Sequence, residues 1–68
     1  MKLIVNNQEK KYDQLTFSVQ ELLDLEFPQR QNGIAVAIDD SIVPKSNWAS
    51  TLLTENATVL IITATQGG

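Results

Sequence analysis

One segment of this chain is committed to a helix, and its length limits what the rest can do. Ser18-Val19-Gln20-Glu21 has the form of a capping box, in which the Ser18 hydroxyl accepts the Glu21 N–H while the Glu21 carboxylate accepts the Ser18 N–H. Phe17 before the cap and Leu22 within the first turn form the pair expected of a hydrophobic staple. Val19, Leu22 and Leu23 then recur at helical spacing on one face. Pro28 disfavours helical angles at Phe27, so the helix is expected to close near Glu26. A helix this short covers one small apolar surface, and the flanking segments must supply that surface as strands.

The flanks have strand character. Lys2-Leu3-Ile4-Val5 runs into Asn6-Asn7, a hairpin turn that Asn tolerates because it accepts left-handed angles, and Glu9 to Tyr12 is the expected return strand. Asn32-Gly33 marks a loop. Ile34-Ala35-Val36-Ala37-Ile38 follows as a strand with Ile, Val and Ile on one face and two Ala on the other. Asp39-Asp40-Ser41 turns the chain, and Ile42-Val43 begins a strand that Pro44 cuts short, which suits a sheet edge. Lys45 to Ser50 reads as an irregular turn or short helix around Trp48, Thr54-Glu55-Asn56-Ala57 as another turn, and Thr58 to Ala64 as the longest strand. The order strand, strand, helix, strand, strand, strand fits an α+β fold. A mixed sheet of four to five strands is crossed by one helix, with the first and last strands parallel at its centre. That is a ubiquitin-like β-grasp, with residues 1–64 as the domain and 65–68 as a flexible tail.

Composition narrows the function classes. The chain has 68 residues with no Cys and no His, so neither a disulfide nor a Cys/His zinc site can staple it. Stability must come from one compact core, for which 43% hydrophobic residues suffice. Such a core leaves little room to enclose a substrate pocket, which argues against a self-sufficient enzyme. Net charge is −3 and the five basic residues are scattered, against a nucleic-acid footprint. No apolar run reaches membrane-span length and no signal-type segment opens the chain, so a cytoplasmic location is expected.

Two further features join the element order: the stretch Ala37-Ile38-Asp39-Asp40-Ser41-Ile42-Val43-Pro44 with Trp48 shortly after it, and the final Gly67-Gly68. Together they resemble the ThiS family of sulfur carriers in thiamine (thiazole) biosynthesis, over essentially the whole chain. The resemblance implies that Gly68 presents the carboxylate that is activated and that Gly67 keeps the arm slender. It implies as partners an adenylyltransferase of the ThiF type, a persulfide sulfur donor and a thiazole synthase of the ThiG type. No cofactor is expected on the chain itself, since ATP and Mg²⁺ would be used by the activating partner. The turn before the last strand departs from the family pattern, with Asn56-Ala57 where Gly-Asp is usual.

Residue chemistry fits that implication. Glycine lets a backbone approach another molecule closely, and Thr65 to Gly68 fully extended reaches about 13 Å. With no thiol in the chain, the terminus is the candidate site for sulfur. Strand alternation adds a candidate docking face. With Leu3, Val5, Val59 and Ile61 turned inward, Ile4, Leu60, Ile62 and Ala64 turn outward, joined by Ala35 and Ala37. Trp48, Tyr12, Phe17 and Phe27 are read as core or core edge, and Asp39, Asp40 and Glu55 as solvated turn residues. Three other functions stay open: a carrier like the small subunit of molybdopterin synthase, a ubiquitin-like modifier, and an interaction module with an inert tail.

Overall fold

The computed structural model describes residues 1–28 and 33–63. The expected tail 65–68, Ala64 of the last strand and Asn32 of the Asn-Gly loop lie outside the described residues. Strands β1 (Lys2–Val5), β2 (Gln8–Lys11), β3 (Ile34–Ile38), β4 (Ser41–Val43) and β5 (Thr58–Thr63) surround one helix, α1 (Val19–Glu26). A single 3₁₀ turn, Lys45–Asn47, precedes Trp48. The strands form one sheet in the order β2-β1-β5-β3-β4. β1 and β5 run parallel at its centre, and the other neighbours pair antiparallel. The expected β-grasp is the observed fold, with β2 starting at Gln8 instead of Glu9 and β4 including Ser41.

Two hairpins are set by local chemistry. Asn6 and Asn7 have φ of 50° and 68°, and Asp39 and Asp40 have φ of 47° and 72°. Each pair supplies the two left-handed residues of a type I′ turn, whose twist matches the flanking strands. Hence Val5 faces Gln8 and Ile38 faces Ser41 across two-residue loops.

The helix begins as its sequence dictates. Ser18 caps it, with its side chain accepting from the Glu21 N–H at 3.1 Å and its own N–H donating to Glu21 Oε1 at 2.9 Å. The two remaining N–H groups of the first turn find partners far along the chain. Val19 N–H donates to the Thr51 carbonyl at 2.9 Å and Gln20 N–H to the Trp48 carbonyl at 3.0 Å. All three leading donors are thereby satisfied, and the segment 48–51 is tied to the helix start. Val19, Leu22 and Leu23 are fully buried against the sheet.

The core comprises Leu3 and Val5 of β1, Val36 of β3, Val59 and Ile61 of β5, the helix residues, and Phe17, Trp48, Leu53 and Ala57. Trp48 is buried and its indole N–H donates to the Val43 carbonyl at 3.1 Å. The largest side chain thus lies in the small core and is tied to the last residue of edge strand β4. Tyr12 packs its ring 5.0 Å from that of Phe17.

Candidate functional site

The inward face of β5 holds Val59 and Ile61 at 1% and 5% exposure, whereas Leu60 and Ile62 lie 45% and 48% exposed on the opposite face. Cross-strand register assembles their neighbours. Leu60 faces Ala37, Ile62 faces Ala35, and Ala37 faces Ile42 of β4, itself 68% exposed. Ile4 lies on the same side across from Thr58 and is half-buried. The expected outward face Ile4, Leu60, Ile62 is therefore real, and it extends through Ala35 to Ile42. Ala37 departs from expectation: it points outward yet is buried, because a methyl group flanked by Leu60 and Ile42 lies below their larger side chains.

The lateral boundary of this face is polar. Lys2 and Glu9 pair at 3.0 Å, and with Lys11 they line a solvent-open hollow of about 600 Å³ that also includes Tyr12, Asp13 and Glu55. Among the described residues no cluster of carboxylates is placed to hold a metal ion, and no helix is long and apolar enough to cross a membrane.

The acidic turn residues tie backbone together. Asp39 Oδ1 accepts from the Thr58 N–H at 3.1 Å, and Glu55 Oε2 accepts from the Lys2 N–H at 2.9 Å. Asn56, in the Asn-Ala turn, has φ of 66° and donates its N–H to the Lys2 carbonyl at 2.7 Å. Ala57 is buried, and its carbonyl accepts from the Ile4 N–H at 2.9 Å. The departure from Gly-Asp thus leaves the turn formed and puts a methyl group in the core.

A second polar cluster ties β2 to the end of the helix. Glu26 accepts from Lys10 Nζ at 3.0 Å and from the Tyr12 hydroxyl at 2.9 Å. Burial alone would raise the Glu26 carboxyl, but the hydrogen bonds from Lys10 and Tyr12 and the Lys10 charge outweigh it and hold the group below its ordinary value. Burial, with Glu26 as hydrogen-bond partner and neighbouring charge, pushes the Tyr12 phenol well up. Sequence spacing did not reveal this cluster, since it joins residues distant in the chain.

The expected reactive residues Gly67 and Gly68 lie outside the described residues. What the fold does place is the strand that leads to them, with one face in the core and the other bare. A profile of the ThiS family matches residues 3–68, from β1 through the diglycine. The chain belongs to the ThiS family. It is 37% identical over 51 residues to the sulfur carrier protein ThiS of Escherichia coli (strain K12), covering 75% of this chain and 76% of that protein. Its fold matches a crystal structure of the thiamine biosynthesis protein ThiS from Geobacter metallireducens with a TM-score of 0.87 at 20% identity, over the full length of both chains. A solution structure of a thiamine biosynthesis protein from the same organism gives 0.78 at 23% identity, over all of this chain and 88% of the other. ThiS proteins are small sulfur carriers and not catalysts.

Proposed function

We propose that this ThiS-family chain carries sulfur for thiazole formation on the carboxyl group of Gly68. The observation that carries the reading is the family match, which runs unbroken from the core strands through Gly67 and Gly68. A carboxylate is a poor acyl donor because oxide is a poor leaving group. A ThiF-type adenylyltransferase overcomes this by joining Gly68 to AMP, with ATP and Mg²⁺ consumed and pyrophosphate released. Sulfur from a persulfide donor attacks the acyl carbon and expels AMP, and a thiol then cleaves the remaining S–S bond to leave a thiocarboxylate. That softer, more nucleophilic sulfur passes to a ThiG-type synthase. A cytoplasmic site of action accords with this chemistry.

The body of the protein contributes recognition. Ile4, Leu60 and Ile62 with Ala35 and Ile42 form a contiguous apolar face, the kind of patch that marks interfaces. It lies on the strand that continues into the tail, so docking there would aim Gly68 at the partner's nucleotide site. Gly67 and Gly68 let the arm pass through a narrow cleft.

Intact-mass analysis after incubation with the adenylyltransferase, ATP and a sulfide source tests the reading. The wild-type chain should gain the mass of one oxygen-to-sulfur exchange at Gly68. Gly68→Ala or deletion of Gly68 should abolish the gain while leaving thermal unfolding unchanged. High-mass protein conjugates would instead indicate a ubiquitin-like modifier, and no ATP-dependent change at all an inert module.

A further inference from the structure

β5 is paired along its whole length on one side only. Its β3 side is in register from Val59 to Thr63, but β1 pairs only with Thr58 and Val59. Beyond that point Asn6 closes the contact. Its N–H donates to the Val59 carbonyl at 2.9 Å, and its Oδ1 accepts from the Ile61 N–H at 2.7 Å. With φ of 50°, Asn6 then turns the chain back into the hairpin. Backbone groups of alternate strand residues point to the same side. Val59 and Ile61 direct theirs towards β1, while Thr58 bonds on the opposite side with Asp39. The Ile61 carbonyl and the Thr63 N–H and carbonyl therefore face the side where β1 has ended. Among the described residues no strand lies alongside them.

This half-edge differs from the two outer edges of the sheet. β2 presents Glu9, Lys10 and Lys11, and β4 is three residues long and stops at Pro44, both familiar ways of blunting an edge. The run Ile61-Ile62-Thr63-Ala64-Thr65-Gln66 has no charge and no Pro and is rich in β-branched residues. We propose that the open side of β5 at Ile61 and Thr63 receives an extended segment of the adenylating enzyme as an added strand, held by main-chain hydrogen bonds. The inference rests on the carrier reading and deepens it. The occupant follows from where the chain leads: a strand guiding residues 64–68 towards a nucleotide would begin its pairing at the end of β5, which is Thr63. Main-chain pairing would also hold the arm in register without needing side chains on Gly67 and Gly68.

The test removes one N–H that has no strand beside it among the described residues. Thr63→Pro deletes the donor facing the open side, whereas the neighbouring Ile62 N–H belongs to the β3 ladder. ATP-dependent pyrophosphate release is measured with the ThiF-type enzyme and this carrier as the varied substrate. Loss of a hydrogen bond of ordinary strength should raise KM about three- to tenfold with kcat unchanged. If Thr63→Pro lowers the melting temperature, the synthetic full-length chain with an ester in place of the Ile62–Thr63 amide is used instead. A KM equal to wild type in a folded variant overturns the proposal, as does a finding that wild type dimerises and the variant loses only that dimer. If the wild-type chain itself supports no pyrophosphate release, it is the carrier reading that fails.

Discussion

Val59 and Ile61 on one side of β5, and Leu60 and Ile62 on the other, are similar residues at adjacent positions with opposite fates. The first pair meets Val19, Leu22 and Leu23 of the helix within the core; the second pair faces outward with nearly half its surface exposed. Hydrophobicity alone does not distinguish them. The difference teaches that a five-stranded sheet with one short helix can bury only one of its faces. The other leaves Leu60, Ile62 and Ile42 exposed.

The sharpest way to break this comparison is paired truncation. Ile61→Ala should lower unfolding free energy by about 2–5 kcal/mol, the usual range for a large-to-small core change, whereas Ile62→Ala should cost less than about 0.5 kcal/mol. Equal losses in urea denaturation would show that both faces are core. Ile62→Asp sharpens the same contrast, because it should weaken binding to the adenylyltransferase far more than it lowers stability.

A smaller effect is expected at the helix cap. Ser18→Ala removes the acceptor for the Glu21 N–H and should cost about 1 kcal/mol. That loss belongs to the buried face, so affinity for the partner measured on the folded variant should be unchanged. The smallest effect concerns acid. Because the folded-state pKa of Glu26 is depressed, its contribution is fully present above the ordinary value near 4.5 and is lost as pH falls through the lower folded value. Glu26→Gln should flatten that part of the stability–pH curve, by about 1 kcal/mol or less, with no effect on the curve near neutral pH from ionisation of this group.

Much of the fold was legible because its signals are local. The capping box at Ser18, the halt before Pro28 and the Asn and Asp pairs at both hairpins depend on residues within one turn of each other. Alternation also separated Ile61 from Ile62 correctly. The tail that carries the proposed chemistry was legible as Gly67-Gly68 through the family resemblance, while its conformation lies outside the described residues. Less legible were features joining distant parts of the chain. The Glu26 cluster with Lys10 and Tyr12 spans hairpin and helix, and the Asn6 side chain reaches Ile61 across 55 positions.

The chain by itself determined its helix, its turns and the alternation of its strands, since backbone preferences and capping hydrogen bonds act over a few residues. Only the tertiary structure decided which side of the sheet the helix covers, that Trp48 lies in the core tied to the last residue of β4, that Ala37 is buried on an otherwise open face, and where β1 stops short of β5. Those outcomes depend on which surfaces meet after the chain has closed on itself. Burial and main-chain pairing are properties of that encounter, and no short stretch of residues contains both partners.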